Sequence, residues 1–213
     1  MAELLLLRHS ITRGNLEGRY IGCRTDEPLC EEGIQLLRDR TYPAVDLVCV
    51  SPMKRCVETA RLIWEHCMPA DAGESRSFSR MPGQIPMIRM PEFRECDFGA
   101  FENKNYQELS GNSAYQEWID SGGTLPFPGG ESMESFKKRC QEGFQKLVGQ
   151  MERYPHLARV ALVAHGGTIM AVLERFGSPK KTYFDYQVKN GCGYLLTPVE
   201  GTDLWNYQCL RWD

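Results

Sequence analysis

Residues 159–167 read RVALVAHGG, and the fold follows from that stretch. Arg159–Ala164 is apolar and partly β-branched with no alternation, as in a strand buried on both faces. His165 comes next, and Gly167–Phe176 carries apolar residues at helical spacing. The unit is therefore strand, histidine, helix. Working outward, similar units recur. Glu3–Leu7 is a short apolar run that ends in Arg8-His9, and Val45–Val50 (VDLVCV) runs into Ser51-Pro52. Ser51 is a candidate N-cap with proline in the first turn. Met53, Cys56, Val57, Ala60, Ile63 and Trp64 recur behind it at three and four. Glu131–Tyr154 reads as a long helix with Met133, Phe136, Cys140, Phe144, Leu147, Val148 and Met151 on one core-facing stripe. Residues 69–86 hold several Pro, Gly and Ser and read as a loop, with a weak strand around Ile88. Gly193–Pro198 and Trp205–Leu210 read as closing strands. The β-then-α order predicts a three-layer α/β/α fold with a mostly parallel central sheet, as a single domain over residues 1–213.

Composition narrows the function classes. The chain has 213 residues, 42% of them apolar and 25% charged, which argues against global disorder. Its net charge of −3 and the lack of a basic run give no support to nucleic-acid binding. Any anion site must be built locally from a few placed cations. The run Leu4–Leu7 is too short for a signal peptide, and no stretch approaches a membrane span, so a cytoplasmic chain without a membrane partner is expected. The nine cysteines include no C-x-x-C pair, so neither a zinc site nor a disulfide framework is expected. Reduced thiols packed as small apolar groups are the expectation. The sequence does not predict an oligomeric state.

Three strand ends carry the chemistry. The first delivers Arg8 and His9, the second leads to a helix bearing Arg55, and the third delivers His165 at the start of a helix. Ligands of open α/β sheets bind at the carboxyl ends of strands, where helix N-termini favour anions. A lone histidine after a strand is more often a structural residue, and a lone Arg55 reads as a surface side chain. Two of only four histidines directly after apolar strands make the joint reading a phosphate pocket. His66 and His156, in polar contexts, read as surface residues. No local spacing offers His9 and His165 a third ligand, so no metal site is expected.

These residues resemble a known family. Arg8-His9-Ser10-Ile11-Thr12-Arg13-Gly14-Asn15 is similar to the R-H-G-x-T-x-x-N motif of the histidine phosphatase superfamily, phosphoglycerate-mutase-like branch. Tyr20-Ile21-Gly22 with Asp26, Pro28-Leu29 and Glu32-Gly33 resembles its next segment. Ser51-Pro52, Arg55 and Thr59-Ala60 resemble its S-x-x-x-R-x-x-x-T-A helix. Glu95, Phe98-Gly99 and Glu102, then Pro128–Ser132, then Ala164–Gly167 complete six motifs in order along most of the chain.

The resemblance implies roles. His9 would be the nucleophile that forms a phosphohistidine, kept neutral by Arg8, Arg55 and His165. Arg8, Arg55, His165 and Asn15 would hold the phosphoryl oxygens. Glu95 would be the general acid and then the base for water. Ile21, Gly22 and Gly166 would touch substrate. No cofactor is implied, and the partner is a small phosphorylated metabolite.

The departures carry information too. Ser10 and Asn103 stand where the family has glycine, and the Cβ of Ser10 is expected to narrow the approach to phosphate. A mutase carries a threonine at Ile21 and paired arginines after Trp118, where Ile119-Asp120 stand here. A phosphatase is therefore favoured over a bisphosphate-primed phosphoglycerate mutase. A catalytically silent phosphate-binding module is a third reading, against which the presence of a general acid argues. Tyr115-x-x-Trp118 and Val188-x-x-Gly191-Cys192 most resemble the α-ribazole-phosphate phosphatases of cobalamin synthesis. Substrate choice is assigned to the loops 69–86 and 100–130.

Overall fold

Four consecutive leucines, Leu4 to Leu7, make up most of β1 (Glu3–Arg8), and all four are fully buried. Successive strand residues face opposite sides, so Leu4 and Leu6 enter one core while Leu5 and Leu7 enter another. β1 thus lies in the middle layer of a three-layer α/β/α arrangement. The computed structural model describes residues 2–69 and 84–210.

The other strands are β2 (Leu47–Val50), β3 (Cys67–Pro69), β4 (Ile85–Arg89), β5 (Arg159–Ala164), β6 (Gly177–Ser178), β7 (Gly193–Pro198) and β8 (Trp205–Cys209). They form one sheet in the order β3-β4-β2-β5-β1-β7-β8-β6. The strands from β3 to β1 are mutually parallel, and β7 alone opposes its neighbours. The mostly parallel sheet expected from the sequence is what the chain forms.

The helices are α1 (Arg13–Leu16), α2 (Glu31–Arg38), α3 (Lys54–Ile63), α4 (Ser113–Asp120), α5 (Met133–Arg153) and α6 (Gly166–Phe176). Phe144, Leu147 and Met151 of α5 and Ile169 and Val172 of α6 pack on the face of Leu4 and Leu6. Cys56, Val57 and Ala60 of α3 cover the opposite face. The predicted stripe of α5 is buried except for Met133 and Val148, which pack partly covered at its edges. Among the described residues no helix is long and apolar enough to cross a membrane. All nine thiols are free; five are buried, and Cys209 is exposed.

Two expectations need correction. Residues 70–83 of the predicted loop lie outside the described residues, but its two ends are strands, β3 and β4, paired in parallel. Ser51 is not the cap of α3: that helix starts at Lys54 with Met53 as N-cap. The Ser51 hydroxyl meets the Met53 N–H only at 3.4 Å because it is engaged elsewhere.

Candidate active site

β2, β5 and β1 are neighbours, and their carboxyl ends stand level. Arg8 pairs with Ala164 and Val50 with Val163. The His9 N–H donates to the Ala164 carbonyl at 2.9 Å, and the Ser51 N–H to the Val163 carbonyl at 2.9 Å. His9, Ser51 and His165 are thereby carried to one point. The two imidazoles meet edge to face, with centroids 5.2 Å apart.

His9 is buried, and its Nδ1 lies 2.7 Å from the Ser10 carbonyl. A carbonyl can only accept, so Nδ1 carries the proton and Nε2 keeps its lone pair. Burial is the main cause holding the His9 pKa well below the ordinary histidine value, and Arg55 and Arg8 add to it. His165 is lowered in the same way, by burial first and then by Arg55. The Ser51 hydroxyl lies 2.8 Å from His165 Nε2. If that hydroxyl donates, the His165 proton sits on Nδ1. Glu95 Oε2 stands 3.7 Å from that nitrogen, too far for a hydrogen bond, and with His165 neutral the two form no ion pair.

Arg55 is wholly buried. Its Nη1 donates to the Thr25 carbonyl at 3.0 Å, and its Nη2 to the carbonyls of Ile21 and Gly22 at 3.3 and 3.2 Å. Arg8 donates from Nη1 to the Val188 carbonyl at 2.8 Å. The Nε atoms of both arginines are buried with no protein acceptor. A buried donor without an acceptor costs free energy, and two of them beside two neutral imidazoles suit an anionic ligand. The Glu95 carboxyl is pushed up by burial, against Arg55 and the Cys96 N–H that pull it down.

The model of the histidine phosphatase superfamily, branch 1, matches residues 4–210. The chain belongs to that superfamily. The adenosylcobalamin/alpha-ribazole phosphatase of Escherichia coli is 25% identical over 200 residues, covering 89% of this chain and 87% of that one. A 2,3-bisphosphoglycerate-dependent phosphoglycerate mutase 2 from Gloeobacter violaceus is 30% identical over 185 residues, covering 81% and 74%. The crystal structure of the alpha-ribazole phosphatase from Shigella flexneri superposes with a TM-score of 0.75 at 23% identity, covering 98% and 95%, and so shares the fold.

The superfamily's remaining motifs brace this cluster. The Ser10 hydroxyl donates to the Gly33 carbonyl at 2.7 Å, and the Ser10 N–H donates to Thr59 Oγ1 at 2.9 Å. The hydroxyl that replaces a family glycine is thus engaged on α2. Asn103 has φ 57°, the one described non-glycine residue in the left-handed region, where asparagine is the best tolerated substitute for glycine. The Gly22 N–H is held by Glu102 at 3.0 Å. Ile21 and Gly22 therefore meet the site through their carbonyls on Arg55. Gly166 opens α6, and a Cβ there would stand 3.5 Å from Arg8 Nε. Asn15 closes a capping box with Thr12: its Oδ1 accepts the Thr12 N–H at 3.2 Å.

Glu95 has its own bracket. Arg139 of α5 pairs with Glu131 at 2.7 Å, and its Nη1 donates to the carbonyls of Glu92 and Arg94 at 2.7 and 2.9 Å. The Glu131 N–H donates to the Asp97 carbonyl at 2.9 Å. Pro128–Ser132 is thus a clamp on the segment that carries Glu95. Sequence reasoning missed Ser51 as a histidine partner, Thr59 as a brace and Asn190 altogether. Ser51 and Thr59 lay inside a quoted motif, and Asn190 is an unspecified position of the quoted Val188-x-x-Gly191-Cys192 segment, where no residue type was singled out.

Proposed function

We propose that the chain is a phosphomonoester hydrolase working through a phosphohistidine on His9, with a small phosphorylated metabolite as substrate. The observation that carries this reading is the bare Nε2 of His9 beside the unpartnered Nε atoms of Arg8 and Arg55. His9 Nε2 attacks phosphorus, an N–P bond forms and the ester P–O bond breaks. Glu95, whose pKa burial raises, gives its proton to the departing oxygen. The resulting carboxylate then takes a proton from water as that water attacks phosphorus. The N–P bond breaks, phosphate leaves and His9 returns neutral. Arg8, Arg55, His165 Nδ1, the Asn15 amide and the Gly166 N–H stabilise charge on the phosphoryl oxygens. Ile21 and Gly22 contribute by fixing Arg55.

The relatives' names make α-ribazole 5′-phosphate the first substrate to try. The nine unpaired thiols fit a reducing compartment such as the cytoplasm. Mutase chemistry is disfavoured because α4 carries no Arg or Lys, Trp118 being followed by Ile119 and Asp120. The test is a rapid alkaline quench after incubation with labelled substrate. One acid-labile phosphoryl group on the His9 peptide is expected, lost in His9→Ala together with turnover. With 3-phosphoglycerate and bisphosphate primer, phosphate release should exceed isomerisation. A label on Ser10 or a cysteine, or isomerisation outpacing release, would overturn the proposal.

A further inference from the structure

We infer that Asn190 is a positioning residue for the reaction, its one side-chain amide setting both the tautomer of His9 and the orientation of Asn15. The inference rests on the reading of His9 as nucleophile. Asn190 Nδ2 lies 3.1 Å from the His9 carbonyl, 3.3 Å from the Ser10 carbonyl and 3.1 Å from Asn15 Oδ1. Main-chain carbonyls only accept, so the nitrogen of Asn190 must face them. Asn15 is fixed by the same logic, because its Oδ1 also accepts the Thr12 N–H. The orientation of both amides is therefore dictated by backbone groups. Two hydrogens serve three acceptors, so one bond is shared. The neighbouring Gly191 N–H adds contacts of 3.2 Å to the carbonyls of Arg8 and His9.

Two consequences meet at this amide. The Ser10 carbonyl is the group that accepts the His9 Nδ1–H. Asn190 steadies that carbonyl, and with it the tautomer that leaves Nε2 nucleophilic. Turning Asn15 Oδ1 toward Asn190 also leaves Asn15 Nδ2 as the donor for a phosphoryl oxygen. Removing the amide frees the peptide that carries the nucleophile and the ligand beside it together. Asn190 itself touches neither phosphorus nor a leaving group.

The test uses the full chain and rapid-quench measurement of phosphohistidine formation. Asn190→Ala should slow labelling by roughly 10- to 100-fold, as expected for slight misplacement of reacting groups. In ¹⁵N-histidine spectra, simplified by only four histidines, His9 should change from one tautomer to a mixture. In a double-mutant cycle, Asn190→Ala should cost less on an Asn15→Ala background than on the wild type, because the two act together. Asn190→Asp keeps the shape but sets oxygen against three acceptors, so it should lose labelling too; it carries the test if Asn190→Ala fails to fold. A lower thermal midpoint with unchanged labelling rate, unchanged His9 spectrum and additive costs would overturn the inference. Absence of label on the wild type would instead overturn the phosphohistidine reading, whatever Asn190 does.

Discussion

Glu95 shows how little separates an acid from a structural carboxylate. Its Oε1 accepts the Cys96 N–H at 2.9 Å, which an amide oxygen could equally accept. Its Oε2, 3.7 Å from His165, is the oxygen left to hold a transferable proton. Glu95→Gln should therefore fold and bind phosphate, yet slow turnover by about 10²–10⁴-fold for alkyl esters, whose oxygen needs the proton. Nitrophenyl esters, whose leaving group departs almost unaided, should slow far less. The pH profile gives the sign. Burial raises the Glu95 pKa, so the acid form is lost as pH rises through that raised value, and kcat/KM should fall on the alkaline side. The neutral His9 adds no acid limb at the ordinary histidine value, because its own pKa lies well below it. Equal slowing of both ester classes in Glu95→Gln, or an unchanged alkaline limb, would remove Glu95 from the acid role.

Elements explain what the sequence disclosed and what it hid. β5 and β7 were legible to the residue because both are apolar runs with clear ends. The two histidines of the candidate site were legible for a related reason: β1 and β5 each hand one over directly. α4 was not, because it spans only eight residues, none fully buried, and its apolar face is little more than Tyr115 and Trp118, which pack half-buried against Phe101. β3 and β6 were missed because three- and two-residue edge strands have no periodicity to read. Asn190 was missed because its partners are 175 to 181 residues away. The Pro128–Ser132 clamp was legible as a motif but not as a mechanism. A Cβ on Gly130 would fall 2.3 Å from the Asp97 carbonyl oxygen, and backbone cannot step aside cheaply. Gly130→Ala should displace the segment carrying Glu95. Turnover should drop more than phosphate affinity, with a destabilisation of about 1–3 kcal/mol in denaturant unfolding. A variant with wild-type turnover would mean that the clamp does not position Glu95.

At the scale of the whole molecule, burying two neutral imidazoles makes stability depend on pH. Unfolded histidine titrates near 6.5, whereas His9 and His165 are held well below that value in the fold. The stability they contribute is present above about pH 6.5 and lost as pH falls, because the unfolded chain takes up protons that the folded chain refuses. Each proton is worth about 1.4 kcal/mol per pH unit. Glu95 acts oppositely below its raised pKa, where the folded chain holds the extra proton. Thermal midpoints should drop between pH 7 and 5.5, and His9→Ala with His165→Ala should flatten that slope. An equal slope in the double variant would assign it to other groups.

The pairing of β1 also matters while the chain is being made. Its first partner in the sheet is β5, with Glu3 opposite Arg159, and its second is β7, with Leu4 opposite Leu196. No earlier segment supplies a neighbour for Leu4 to Leu7. A ribosome adding about 5–20 residues per second needs roughly ten to thirty seconds to reach β5. Throughout that interval the four leucines of β1 wait without a strand partner. Closing so long a loop before the central ladder can form also predisposes the chain to slow folding. The same topology that places His9 at the middle of the sheet therefore leaves a bare hydrophobic segment on the growing chain, the kind of surface that chaperones bind.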